Sequence, residues 1–186
     1  MKTNILPALR LSLVMVIIIA FIYPVAIYGL AQLQKDKGEG AKIMVDGKVV
    51  GYQQIGQAFN QTKYFHSRPS AVDYNGAGSG GSNKGPTNPT YLADVQERIV
   101  AFEKENPTVK KSEIPSEMVT ASGSGLDPQI SLQAALVQID RIASVRNIDK
   151  EKVKKLVVDV EEKPLLGLFG PSTVNVLILN TQLDTL

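Results

Sequence analysis

Residues Leu11 to Ala31 read LSLVMVIIIAFIYPVAIYGLA, a stretch without a single charged side chain. At about 1.5 Å of rise per residue, a helix over it reaches roughly 31 Å, the thickness of a bilayer's hydrocarbon core. Lys2 and Arg10 precede it, and Lys35 and Lys37 follow it beside Asp36 and Glu39. Cationic residues collect on the cytoplasmic side and acidic ones count for little. The expected layout is a short cytoplasmic segment over 1–10, a transmembrane helix over 11–31 and an extracytoplasmic domain over 32–186. Tyr23 and Tyr28 suit an interfacial belt. Pro24 has no N–H to donate, so a kink is expected there, more easily tolerated if another protein helix covers it. A cleaved signal peptide is the alternative, since Gly29-Leu30-Ala31 offers small residues at a cleavage spacing. The apolar stretch exceeds the usual signal core, which favours an anchor.

The remaining chemistry is constrained by composition. The chain has 186 residues, 20 Lys and Arg against 18 Asp and Glu, one histidine and no cysteine. A net charge of +2 argues against a nucleic-acid binder, which carries a basic stripe. Lack of cysteine removes disulfides, zinc–thiolate sites, iron–sulfur clusters and a lipid-modified N-terminal cysteine. His66, alone, rules out any site needing two imidazoles. Beyond the apolar stretch, 18 basic residues face 18 acidic ones, so no strong field steers a charged partner.

Helix and strand signals alternate along the rest, which predicts an α/β or α+β domain. Ile43 to Val50 reads as a hairpin around Asp46-Gly47. Asn75 to Asn88, NGAGSGGSNKGPTN, holds five glycines and one charge, Lys84. It is a loop, a flexible linker or a backbone surface that meets a partner. Asn88 caps a helix with Pro89 at its first position, and Leu92, Val95, Ile99 and Phe102 form its apolar stripe. Met118 to Ala121 is a candidate strand, followed by a Ser122-Gly123-Ser124-Gly125 turn. Asp127-Pro128 or Ser131 begins the next helix, with an apolar face from Leu132 to Ala143. Asp149 caps another. Thr173 to Leu179, TVNVLIL, reads as a buried strand.

Several catalytic patterns are approached and not met. A phosphate-binding loop needs Gly-Lys followed by Ser or Thr, whereas Lys84 stands between Asn83 and Gly85. A nucleophile elbow needs Gly-x-Ser-x-Gly, and Ser122 occupies the first glycine's place. A serine hydrolase would have to pair Ser122 or Ser124 with His66. No carboxylate spacing nominates an acid–base pair, and the lysines of 150–155 read as a solvated helix face.

Longer blocks carry more information. They are Phe65-His66-Ser67-Arg68-Pro69-Ser70-Ala71, Asp73-Tyr74-Asn75, Ser79-Gly80-Gly81-Ser82-Asn83 and Gly85-Pro86-Thr87-Asn88. Val119 to Pro128 with Ile130-Ser131, and Val174 to Leu177 with Leu179-Asn180, continue the series. In this order they closely resemble the C subunit of the Kdp potassium-transporting P-type ATPase, from the anchor to the C-terminus. Phe169-Gly170-Pro171-Ser172 departs from a Gly-Glu-Pro-Arg-like stretch common in that family, which puts any charged contact at that turn in doubt. The resemblance implies a non-catalytic accessory subunit, single-pass in the cell (inner) membrane. Its implied partners are a channel-like potassium-translocating subunit, a P-type ATP-hydrolysing subunit and a small membrane subunit. ATP and potassium then belong to the complex. The chain lacks the Asp-Lys-Thr-Gly-Thr phosphorylation motif of the pump subunit.

The family is described as a catalytic chaperone that raises the pump subunit's affinity for ATP. With the N-terminus inside, that effect would have to reach cytoplasmic ATP as an allosteric coupling. A clamp is the expected arrangement, with the outer domain capping the channel-like subunit near its potassium entrance. The resemblance nominates as contact candidates Arg68, Pro69, Ser70, Asn75, Ser79, Gly80, Gly81, Ser82, Asn83, Gly85, Pro86, Thr87 and Asn88. It adds Ser122, Gly123, Ser124, Gly125, Asp127 and Pro128. The rival classes are the serine hydrolase above and a freestanding extracytoplasmic binding domain.

Overall fold

A computed structural model describes residues 4–186. The chain divides at Ala41/Lys42 into two compact units. The first holds helix α1 (Ile5–Ile17), a π-helical turn (Ile18–Ile22) and helix α2 (Tyr23–Ala31). Together they form one apolar helical stretch of 27 residues, Ile5–Ala31, with none of its most apolar window buried. It starts earlier than the uncharged run requires. The irregularity expected at Pro24 takes the form of the π turn just before it. There the Tyr23 N–H donates to the Ile18 carbonyl, five residues back. A widened turn of this kind rearranges the backbone pairing that a missing proline N–H would break.

The second unit opens with an antiparallel hairpin, β1 (Lys42–Val45) and β2 (Lys48–Tyr52). Asp46 and Gly47 both take positive φ, as a turn matching strand twist requires. An irregular stretch then leads to helix α3 (Pro89–Glu105), whose N-cap Asn88 accepts from the Tyr91 N–H. Strand β3 (Gln129–Ser131) is followed by α4 (Leu132–Leu136), α5 (Ile139–Arg146) and α6 (Lys150–Asp159). Strands β4 (Glu161–Glu162) and β5 (Thr173–Asn175) and helix α7 (Val176–Leu183) complete the chain. The three-stranded sheet runs β3-β5-β4, all antiparallel. The domain is therefore α+β. Phe65, Phe102, Ile130, Ile142, Val157 and Leu179 lie in a core shared by the sheet, the helices and the irregular stretch.

Three sequence expectations are corrected here. Thr173 to Leu179 is a strand only to Asn175, because the Asn175 side chain accepts from the Ile178 N–H and starts a helix. Met118 to Ala121 is no strand. Ser116–Met118 is a 3₁₀ turn, and both the Thr120 N–H and its hydroxyl donate to the Ser116 carbonyl. The run Leu132 to Ala143 breaks at Val137-Gln138, where the Gln138 side chain is drawn to the backbone of His66. The stripe on α3 is only partly covered: Phe102 is buried while Leu92 is exposed.

Candidate functional site

The stretch Thr62 to Arg68 comes in from the surface and buries Phe65, with no strand beside it. Its backbone polar groups must still be paired, since burying them unpaired is costly. Side chains do this. The Asn180 amide pairs with Phe65 in both directions, its oxygen accepting from the N–H and its nitrogen donating to the carbonyl, each at 2.9 Å. Gln138 repeats the device one residue on, accepting from the His66 N–H at 2.8 Å and donating to the His66 carbonyl at 3.3 Å. Arg141, 5% exposed, donates to the carbonyls of Tyr64 and Thr62 and to the side-chain oxygens of Asn106 and Gln138. Burial lowers the Arg141 pKa to about 10, which leaves it charged at neutral pH. Sequence reading passed over Gln138 and Arg141, and quoted Asn180 only as part of the resemblance block Leu179-Asn180.

This scaffold presents the block His66 to Tyr74 along a cleft of about 640 Å³, walled on the other side by Arg98, Phe102 and Glu105 of α3. Its charges are largely committed. Arg68 donates to Asp127 at 2.9 Å, and Arg98 donates to the Val119 carbonyl at 3.2 Å. Tyr74 donates its hydroxyl to the Arg68 carbonyl, and burial pushes its phenol pKa up. Arg68 Nε is buried without a partner among the described residues.

The two Gly/Ser segments, read separately from sequence, dock on one another. Ser70 donates its hydroxyl to the Gly125 carbonyl at 2.7 Å. Ser79 Oγ and the Gly80 N–H both donate to the Ser124 carbonyl, at 2.9 and 2.8 Å. The Ser122 N–H donates to the Pro69 carbonyl at 2.9 Å. A side chain on Gly81 would press on the Gly123 carbonyl. Pro128 lends its carbonyl to the Val176 N–H, joining the turn to α7. Lys84 reaches Asp94 on α3 at 2.9 Å, and that hydrogen bond holds the Asp94 carboxyl below its usual range. Asn88 caps α3. Asn75, Asn83, Pro86 and Thr87 are exposed, Ser82 is half-buried, and Gly76 and Gly85 have open space where a side chain would go.

The hydrolase arrangement is not assembled. His66 Nε2 lies 3.2 Å from the Gln61 carbonyl and Nδ1 lies 3.3 Å from Glu105. Ser122 Oγ accepts from the Gly125 N–H, and Ser124 Oγ accepts from the Leu126 N–H. Among the described residues no hydrogen bond joins His66 to either serine, and no group of three potential ligands could hold a metal. The arrangement is a set of polar loops joined by hydrogen bonds.

The family described as K+-transporting ATPase, c chain (KdpC), matches residues 5–185. The chain belongs to the KdpC family. It is 58% identical over 183 residues to the potassium-transporting ATPase KdpC subunit of Flavobacterium psychrophilum, covering 98% of each chain. It is 44% identical over 189 residues to the KdpC subunit of Bacteroides fragilis, covering 100% of this chain and 98% of that one. It is 45% identical over 189 residues to that of Mycobacterium tuberculosis, covering both completely. Potassium transport and ATPase-subunit character follow from membership, and the KdpC match runs through both the apolar helix and the domain.

The single histidine of this KdpC chain gives a titration free of interference from other imidazoles. Burial, then the charge of Arg141, lowers the His66 pKa, while Glu105 and the Gln61 carbonyl pull it back. The folded domain thus binds this proton less readily than the unfolded chain does. Stability should be full above about pH 6.5 and decline as pH falls below it. Urea unfolding compared between about pH 7.5 and 5.5 should show that decline in the parent and a weaker one in His66→Gln. Equal slopes would refute the assignment.

Proposed function

We propose that this chain is a non-catalytic accessory subunit that clamps a potassium-transporting ATPase assembly. The observation that carries the reading is the KdpC match across the apolar helix and the domain together. Ile5–Ala31 spans the cell (inner) membrane with the N-terminus inside, and the domain lies outside. A channel-like subunit passes potassium, a P-type subunit hydrolyses ATP, and a small membrane subunit accompanies them. The domain caps the channel-like subunit through the exposed part of the Gly/Ser surface. Any rise in ATP affinity reaches the pump subunit through the assembly, which requires contacts that differ between pump states.

The test is a mild-detergent pull-down of the tagged chain from its host's membranes, with potassium-stimulated ATPase activity assayed in the eluate. A large channel-like protein and a P-type ATPase should be recovered with activity, and recovery of the chain alone would overturn the proposal. Gly76→Arg and Gly85→Arg refine it, because both positions have open space. Each should leave thermal stability unchanged while weakening partner recovery several-fold. Full recovery with both variants would remove this loop from the interface.

A further inference from the structure

The connection between β4 and β5 ends in a small hairpin whose tip is apolar and fully outside the core. Leu165 is 70% exposed, Leu166 80%, Leu168 80% and Phe169 64%. Pro164 and Pro171 bracket the tip, and no charged or hydroxyl side chain lies between them. Its backbone pairs with itself. The Leu165 N–H donates to the Phe169 carbonyl and the Phe169 N–H returns to Leu165. The Leu168 N–H also reaches Leu165, and the Gly167 N–H reaches Pro164. Leu166 sits at φ +56, where asparagine or glycine fits more easily. Its side chain touches too little of the fold to repay that conformation.

We propose that the tip Leu165–Phe169 inserts into the apolar edge of a lipid bilayer. Lipid offers no hydrogen-bonding partners, so a peptide segment entering it must bring its N–H groups already paired. This tip does so for four of them. A protein socket is recognised by polar pairs around an apolar centre, and this tip offers no side chain for any. A convex apolar loop needs only a fluid apolar medium. Lys163 at the base stands where phosphate headgroups would meet it. The inference rests on reading Ile5–Ala31 as a bilayer span. That span tethers the domain through residues 32–41, so even a small insertion is favoured by high local concentration.

Because the chain has no cysteine, Leu168→Cys gives one labelling site for an environment-sensitive fluorophore. Ser82→Cys on the Gly-rich loop is the control. The full chain would be placed in discs of mixed zwitterionic and anionic phospholipid, with and without bromine on the acyl chains. The label at 168 should emit several-fold more brightly and to the blue of that at 82, and brominated lipid should quench it selectively. Leu166→Gln with Phe169→Gln should abolish the quenching while the chain still co-elutes with discs. Water-like, unquenched emission at 168 from chain that co-elutes would overturn the insertion and leave the span standing. A blue shift that needs added partner subunits and ignores bromine would overturn it in favour of a protein socket. Failure to co-elute would overturn the span reading and the insertion with it.

Discussion

Replacing Arg141 with methionine is expected to cost the domain more than about 3 kcal/mol, a large part of an ordinary domain's stability. The buried guanidinium serves four acceptors: two backbone carbonyls, Asn106 and Gln138. Methionine fills comparable space and leaves three of them without a donor, since the Gln138 oxygen keeps the His66 N–H, and each orphaned acceptor costs about 1–3 kcal/mol. Arg141→Lys should also destabilise, because an ammonium cannot present the planar fork that reaches all four. Urea unfolding of the full chain in detergent, followed by tyrosine signals, measures both. A second readout separates charge from packing. Arg141 helps to hold the His66 pKa down, so methionine should let it rise and lysine should largely keep it low. A methionine variant with parental stability would show that water reaches these acceptors and that the network is not sealed.

Gly125→Ala should be nearly as damaging, by another route. Gly125 sits at φ +68, and an added Cβ would lie 2.5 Å from Val72 Cγ2 and 2.8 Å from the Gly80 carbonyl. The left-handed conformation costs a side chain about 1–2 kcal/mol and overpacking adds about 1–3 kcal/mol. The Gly80 carbonyl belongs to the backbone and cannot swing aside. The expected relief is separation of the two docked loops, so amide exchange at Gly80, whose N–H donates to Ser124, should accelerate. Gly123→Ala is the control, since nothing lies within 4 Å of its added carbon. It should stay within about 0.5 kcal/mol of the parent. Equal effects from the two variants would disprove the steric account.

The local signals were legible because their chemistry is local. Asn88-Pro89, Asp149, Ser131 and Asp46-Gly47 each act within a few residues, and each stands where its sequence places it. Asn175 was equally local, but the β-branched residues around it read as strand and hid its capping role. The pairing of Asn180 with Phe65 crosses 115 positions, and that of Gln138 with His66 crosses 72. No periodicity marks an amide chosen to imitate a neighbouring strand. Both Gly/Ser segments were identifiable as turns, yet their docking depends on Ser70, Ser79 and Ser124 meeting across the chain. Much of the resemblance to the family lies in these joined segments, so several of its characteristic residues are accounted for by scaffolding. The exposed remainder, around Gly76 and Gly85, has no such role in the fold.

The amides that hold Phe65 and His66 also set a timetable. Both of the hydrogen bonds to the buried Phe65 backbone come from Asn180 on α7, 115 positions further along the chain. Until Asn180 has emerged, Phe65 has its backbone groups unanswered and little reason to leave water. Contacts so distant in sequence make folding slow and late. The domain should therefore stay open through nearly all of its synthesis and close in one step once α7 arrives. Chains cut short before residue 180 would then be soft targets for proteases, which would keep unfinished copies out of the assembly.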